Sequence, residues 1–243
     1  MNPIELVSDW FRDPANWSGA SGIHSRVAEH LQYSLLALLI AAMIALPLGL
    51  VLGHLNRGEI VVLTIANSIR ALPTLGLLTL LVILAGIGLL PPLIALIVLA
   101  IPPMLVNTFE GIRNVDRFTV DAARGIGLRG ASILWRVETP VALPLILLGV
   151  RLAAIQVISA ATIAAYVGLG GFGRYIFDGL GRRDFGQVIG GSILVALLAI
   201  ATELFFVALG AAVVSQGVTR RRKKILTSTG LGILPGVRRK ATS

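Results

Sequence analysis

The residues with the clearest potential for molecular recognition lie in one polar stretch between apolar segments. Its members are Asp121, Ala122, Ala123, Gly127, Arg129, Val137 and Pro140. Small side chains let the backbone of another protein approach closely, and Arg129 and Arg136 are available to acidic partners or lipid phosphates. This stretch predicts a docking surface for a soluble partner. The plainer alternative is an amphipathic loop that lies on the membrane surface.

Catalytic and metal chemistry have little support in the sequence. There are no cysteines, so disulfides, thiol catalysis and cysteine-ligated metals are excluded. His24, His30 and His54 lack the spacing of metal ligands. Every lysine lies after residue 220, and no G-x-x-x-x-G-K-[ST] phosphate-binding loop is present. We therefore expect no enzyme activity, no ATP hydrolysis by this chain, and no metal or other cofactor.

The polar stretch is expected to form two short helices. Thr119 could cap the first helix, with Asp121 in its first turn, where a negative charge suits the helix dipole. The two alanines would give this helix a low-profile surface, and Gly125 and Gly127 would end it. A second, amphipathic helix would follow, and its apolar side would be formed by Ile133, Leu134 and Val137.

Composition places these helices in a membrane protein. Apolar residues make up 56% of the chain, charged residues make up 14%, and the mean hydropathy is +0.87. Such values are typical of membrane proteins rather than soluble globular ones. The length suffices for about five or six spans at roughly 20 residues each. The predicted fold class is therefore an all-α integral membrane protein with about five transmembrane helices, or six.

The apolar runs give approximate bounds for these spans. The run from 60 to 87 is longer than one span needs and is interrupted by Asn67, Ser68, Arg70 and Pro73. It predicts one broken helix hinged near Arg70 to Pro73, or alternatively two short helices packed together. A turn containing Pro91 and Pro92 would follow this run. We expect the spans at about 32–53, 60–87, 93–106, 141–167 and 188–214.

The positive-inside rule orients the chain and divides it into three parts. Arginines concentrate in a loop at about 111–140, and a second basic group forms the tail at 218–243, so both are expected in the cytoplasm. The acidic segment 1–31 would then be extracytoplasmic, ahead of a transmembrane domain at 32–217. A slightly basic loop at 174–183 fits this orientation poorly. The tail lacks interleaved aromatic residues, so we expect it to bind anionic membrane lipid rather than nucleic acid.

A few polar residues fall inside the predicted spans. By their depth, Arg151 and Glu203 are predicted to form an intramembrane charge pair, because an unpaired charge there is costly. Candidates for a mildly polar translocation pathway are Asn67, Gln156, Ser159 and Thr162. Hydroxyls that bond back to their own helix are an equal alternative for this pathway.

Small residues recur at intervals of four in the span at 141–167. Ala160, Ala164 and Gly168 form this stripe. Such spacing lets transmembrane helices approach closely. The stripe could serve a dimer interface or packing inside the chain, and the sequence favours neither.

The polar stretch resembles the cytoplasmic loop signature of ABC importer permeases, in which an acidic residue, two alanines and a later glycine precede a hydrophobic-x-Leu-Pro end. The matching positions here are Asp121, Ala122, Ala123, Gly127, Val137 and Pro140. Asp121 stands where glutamate is usual, and Thr139 stands where leucine is usual. In that family the loop forms a coupling helix held in a cleft of a separate ATPase subunit. The resemblance therefore implies that residues 121–127 make this contact.

Two further segments, 67–75 and 164–173, look like those of permeases for quaternary-amine osmoprotectants such as glycine betaine, choline, carnitine or proline betaine. The resemblance implies a type I ABC importer permease in the bacterial cytoplasmic (inner) membrane, with its N-terminus outside. Implied partners are ABC ATPase subunits, a second permease copy or paralogue, and an extracytoplasmic solute-binding protein.

Two alternatives remain open. One is an ABC permease for an amino acid such as methionine, and the other is a stand-alone secondary transporter. Against the second alternative, the sequence shows neither two recognisable inverted halves nor several intramembrane carboxylates for ion coupling.

Overall fold

The computed structural model describes residues 2–213 and shows a helical membrane protein with no strand in that range. The basic tail expected at 218–243 lies outside the described residues. The helices are α1 (Pro3–Arg12), α2 (Ile23–Leu55), α3 (Glu59–Arg70), α4 (Thr74–Ala85), α5 (Leu90–Arg113), α6 (Arg117–Gly125), α7 (Gly130–Ile133), α8 (Thr139–Ala164), α9 (Gly173–Arg182) and α10 (Phe185–Val213). A π-helical turn, Leu134–Glu138, joins α7 to α8, and short 3₁₀ turns occupy Pro14–Asn16 and Ala165–Val167.

Four of these helical segments are long and apolar enough to cross a membrane. They are Ile23–Leu55, Leu90–Arg113, Gly130–Val167 and Phe185–Val213. A fifth crossing is available if α3 and α4, which meet at an angle of 86°, count as one broken span. The break falls where the sequence predicts it, because Pro73 cannot continue α3 and instead precedes the first turn of α4. A sixth span is not present among residues 2–213.

Several helices extend beyond the bounds predicted from hydropathy. The first span begins at Ile23 rather than residue 32, so the boundary drawn at 31/32 falls inside α2. The third runs from Leu90 to Arg113 rather than from 93 to 106. Pro91 and Pro92 lie in its first turn and not in a preceding turn, since the amides there need no helical partner. Hydropathy marks the apolar part of a helix, whereas its hydrogen bonds continue past the membrane interface.

The core forms where α5 packs between α2 and α8. Along α2, buried small residues recur at every fourth position: Ala37, Ala41, Ala45, Gly49 and Gly53. A Cβ added at Gly49 would lie 2.7 Å from Cβ of Thr108 on α5, which shows how closely these two helices approach. Such small-residue stripes are the usual means of close helix packing in membranes.

The stripe on α8 also serves packing inside the chain. Ala160 belongs to the cluster shared with α2 and α5, and Ala164 packs with Leu78, Ala95 and Leu169. Both alanines are buried within this single chain. Gly168, at the end of the stripe, is exposed.

The two ends of the helix bundle carry different segments. At one end, α6 lies beside the C-terminal ends of α2 and α5. At the other end, α1 and α9 pack together near the start of α2: the rings of Trp10 and Tyr175 meet edge to face at 5.2 Å, and the Tyr175 hydroxyl donates to the carbonyl of Ser21 at 2.6 Å. Burial raises the pKa of Tyr175 to about 12, so this hydroxyl remains a donor at neutral pH. The predicted polar loop and the N-terminal segment therefore lie at opposite ends.

The close approach of α8 to α5 leads to a first prediction. A Cβ at Gly149 would lie 2.8 Å from Cβ of Asn107 and 2.8 Å from the carbonyl oxygen of Pro103. We expect Gly149→Ala to lower the free energy of unfolding by about 1–3 kcal/mol, because the helices must separate to admit the methyl group. The measurement is thermal unfolding in detergent. Gly210→Ala is the matched control, since no heavy atom lies within 4 Å of a Cβ there; equal melting temperatures for the two variants would contradict the prediction.

Candidate functional site

The helix predicted in the polar stretch is present as α6, but its start differs from the prediction. The side chain of Asp116 caps it by accepting a hydrogen bond from the amide of Phe118 at 3.1 Å. Thr119 is therefore not the cap, because it already lies inside the helix. Asp121 consequently lies in the second turn rather than the first, where it faces Arg124 at 3.6 Å.

The surface of α6 combines charge with exposed apolar groups. Asp121 and Ala122 are exposed, whereas Ala123 is buried against the rest of the loop. The expectation that both alanines offer a low-profile surface therefore holds for Ala122 alone. Phe118 and Ile126 are 85% and 81% exposed. A charged helix with bare apolar residues at its two ends is suited to bind another protein.

Gly127 ends this surface with a backbone conformation that side chains disfavour. Its φ is +88°, and no heavy atom lies within 4 Å of a Cβ built there. Glycine is therefore needed at this position for the left-handed backbone conformation and not because a side chain would lack space. The neighbouring Arg129 is exposed and immediately precedes α7.

The second short amphipathic helix is not a separate element. The backbone is helical without interruption from Gly130 to Val167. Ile133 and Leu134 are buried, Val137 is half-buried, and Pro140 is exposed in the first turn of α8. The prediction of a separate helix was wrong because the π turn at Leu134–Glu138 joins the loop directly to the span. The part of the loop from Gly130 onward therefore forms one continuous helical segment with the span, whereas α6 is separate from it.

A cleft of about 350 Å³ lies between α6 and the cytoplasm-facing ends predicted for α2 and α5. Three arginines line it together with three other ionisable side chains: Arg113, Arg117, Arg124, His54, Asp121 and Glu138. His54 Nδ1 lies 2.5 Å from Glu138 Oε2, and Arg113 bonds Glu59 at the start of α3 at 2.5 Å. The sequence analysis missed both contacts, because partners far apart in the chain leave no local signal.

The predicted charge pair is the main polar contact between α8 and α10. Arg151 Nε lies 2.6 Å from Glu203 Oε2, and a second contact joins Arg151 Nη2 to Glu203 Oε1. Both side chains are about one-third exposed, at 33% and 32%. This bidentate geometry is the strongest that an arginine and a carboxylate can form. It holds α10 to α8 in a segment where the rest of α10 is apolar.

The four pathway candidates are not brought together in one cavity. Asn67 is exposed on α3, whereas Gln156, Ser159 and Thr162 lie on α8. The Thr162 hydroxyl donates to the carbonyl of Ile158 in its own helix at 3.3 Å, as expected for a hydroxyl that bonds back to its own helix. No hydrogen bond links Asn67 to the α8 candidates within the part of the chain that the structure describes. Their role in translocation remains a prediction.

The end opposite α6 contains a contact that the sequence analysis also missed. Glu29 Oε2 accepts from the amide of Gly171 at 2.8 Å, and His30 Nδ1 accepts from the amide of Phe172 at 3.3 Å. His30 Nε2, which must then carry the proton, lies 3.1 Å from the carbonyl of Ile158. Two consecutive side chains of α2 therefore hold two consecutive amides of the glycine-rich connection before α9.

Comparison with known proteins is consistent with this architecture. The family described as "Binding-protein-dependent transport system inner membrane component" matches residues 45–220. The chain is 38% identical to the choline transport system permease protein OpuBB of Bacillus subtilis, over 72% of this chain and 81% of that protein. It is 36% identical to the glycine betaine/carnitine/choline transport system permease protein OpuCB of the same organism, over 73% and 82%.

Among solved structures, the chain resembles the MetNI methionine ABC transporter in inward-facing conformations. The TM-score is 0.67 at 22% identity, and the match covers 79% of this chain and 96% of that chain. At this identity the likeness concerns the fold. It agrees with the helical membrane architecture that the hydropathy pattern predicts.

The bidentate charge pair gives a second prediction. We expect Glu203→Gln to lower the free energy of unfolding by about 2 kcal/mol, because it leaves the Arg151 guanidinium without its counter-charge in the membrane. Adding Arg151→Gln should recover part of that loss, since two amides can still bond each other. Thermal unfolding of the two single variants and the double variant measures the coupling. Strictly additive losses would show that the side chains do not stabilise each other.

The glycine-rich connection gives a third prediction. Gly171 has a φ of +83°, and a Cβ there would lie 2.9 Å from His30 Nδ1. We expect Gly171→Ala to lower the melting temperature through both backbone strain and displacement of His30. Gly19→Ala separates the two causes, because Gly19 has a φ of +80° and no heavy atom within 4 Å of a Cβ. If both variants lose the same stability, the His30 contact adds nothing.

Proposed function

Since the chain belongs to the family of binding-protein-dependent transport system inner membrane components, we propose that it is the permease subunit of an ATP-driven importer for quaternary-amine osmoprotectants. Glycine betaine, choline, carnitine and proline betaine are the candidate solutes. The names of the relatives OpuBB and OpuCB support this solute class. The observation that carries the proposal is the exposed helix α6, which packs on α7 and on the π turn, where the continuous helical segment Gly130–Val167 begins.

The proposed partners follow from what this chain contains. It carries no phosphate-binding loop, so ATP hydrolysis would belong to separate ABC ATPase subunits. Asp121, Ala122 and the exposed Phe118 and Ile126 would make the contact with such a subunit. A second permease copy or a paralogue would complete the pore. An extracytoplasmic solute-binding protein would deliver the amine.

We propose the orientation that the charges favour. The arginine-rich loop and the basic tail would both face the cytoplasm. Residues 1–31 and α9 would both lie on the extracytoplasmic side. The contact of Tyr175 with Ser21 supports the grouping of α9 with the N-terminal segment at the end away from α6. The transmembrane domain at 32–217 would then span the bacterial cytoplasmic membrane.

The proposed mechanism is alternating access driven from the loop. Closure of the ATPase subunits on ATP would move α6, and α8 would move with it because α6 packs on α7 and on the π turn, which continue into α8 without a break. The amine would then cross between helices rather than bind tightly to them. A quaternary ammonium is recognised best by aromatic faces, yet aromatic residues make up only 6% of this chain. Selectivity would therefore reside mainly in the binding protein.

A fourth prediction tests the contact with the ATPase. The chain has no cysteine, so a single one at the exposed Ala122 is a unique cross-linking site. We expect Ala122→Cys in native membranes to give an adduct that mass spectrometry identifies as a P-loop ATPase. Ala123→Cys is the matched control one residue away, because its side chain is buried and should react weakly. Gly181→Cys, exposed on α9, should give no such adduct. An adduct with lipid alone at position 122 would contradict the assignment.

The solute class needs a separate test. Cells that depend on this chain should recover growth at high osmolarity when glycine betaine or choline is supplied. An amino-acid permease would instead rescue a methionine auxotroph at low external methionine and give no protection from osmotic stress. The second result would keep the permease assignment and replace the solute.

A further inference from the structure

His54 and Glu138 form a contact that connects the polar loop to the first span. His54 lies in the last turn of α2, and Glu138 is the last residue of the π turn, 84 positions later in the chain. The Nδ1–H of His54 donates to Glu138 Oε2 at 2.5 Å. Glu138 is only 5% exposed, so its carboxylate depends on this partner.

The position of His54 is fixed from the α2 side. The preceding Gly53 packs so tightly on α5 that a Cβ there would lie 2.8 Å from Cβ of Ile112. The other ring nitrogen, Nε2, lies 3.4 Å from where a Cβ of Gly130 would be, at the start of α7. The imidazole is thus held between the π turn and Gly130, the first residue of α7. A movement of the end of α2 away from Glu138 would disturb the packing of Gly53 on α5.

The position of Glu138 is fixed from the loop side. The amide of Thr139 donates to the carbonyl of Leu134, which closes the wide π turn that ends at Glu138. Such single π turns inside α-helices are frequent at functional sites. Helix α6 packs on this turn and on α7. A displacement of α6 therefore acts on the backbone that carries Glu138.

We propose that His54 and Glu138 are positioning residues that transmit displacement of α6 to α2, so that ATP-driven closure of the partner subunits moves the first span as well as α8. This inference rests on the proposed function, since it requires an ATPase bound at α6. It adds a second route from loop to membrane. The covalent route runs through α7 and α8, and the non-covalent route runs through the hydrogen bond between the His54 imidazole and the Glu138 carboxylate.

The test is the number of solute molecules imported per ATP hydrolysed by the transporter reconstituted with its own ATPase and binding protein. Radiolabelled glycine betaine uptake and phosphate release are measured on the same vesicles. We expect His54→Ala to reduce this ratio about fivefold or more, the low end of typical coupling effects. The ATPase should still co-purify with the variant, because α6 keeps its exposed surface.

Companion variants separate transmission from simple loss of structure. In His54→Asn the side-chain amide nitrogen occupies the place of Nδ1 and can still donate to Glu138, so the ratio should stay near that of the unaltered protein. The double variant His54→Ala with Glu138→Gln leaves no unpaired carboxylate. If His54→Ala does not fold, the number of solute molecules that this double variant imports per ATP is the test, and it should be reduced as well. His24→Ala is the matched control, since His24 is exposed near the other end of α2.

Two results would overturn the inference. One is a double variant that imports as many solute molecules per ATP as the unaltered protein. The other is a His54→Asn variant that loses as much as His54→Ala, which would mean that the ring matters only for packing. If the unaltered protein binds no ATPase and imports no amine, the proposed function itself is refuted. This outcome is distinguishable because the unaltered protein is measured before any variant.

Discussion

The structure depends on the close contact between α2 and α5. Five small residues at every fourth position of α2, from Ala37 to Gly53, remove the side-chain volume that would otherwise separate the two helices. In a membrane there is no hydrophobic gain in bringing apolar helices together, so close packing of this kind supplies the attraction. Because α5 also packs on α8, that stripe sets where α2 lies against the α5–α8 pair.

Helix α2, which carries this stripe, also makes polar contacts at both ends of the bundle. At one end, Glu29 and His30 hold the amides that precede α9. At the other end, His54 holds Glu138 at the root of the polar loop. Helix α2 therefore touches both the segment proposed to face the outside and the segment proposed to face the ATPase. Helix α10 is attached differently, through Trp10 near its start and Glu203 further along.

Much of this fold could be predicted from the sequence. The spans follow from hydropathy, the break before α4 from Pro73, and the exposed polar helix α6 from the charged residues around Asp121. The inward orientation of Ala123 could not be predicted, since it depends on which side of α6 meets the π turn. That turn depends on a change of hydrogen-bond register that composition does not encode. The contact of His54 with Glu138 requires the packing of α2 on α5 first, although the four-residue spacing of small residues in α2 was a usable signal for that packing.

The most direct test of the account is whether α6 and the end of α2 move as one body. Spin labels at Leu55 and at Thr119 of α6, both exposed, would report their separation in a chain that has no other cysteine. Labelled protein is diluted with unlabelled protein so that distances within one chain dominate, and spectra are taken under conditions in which ATP drives uptake. The account predicts that the distance distribution keeps its mean when ATP binds. A shift larger than the width of the distribution would show that α6 moves independently of α2 and would contradict it.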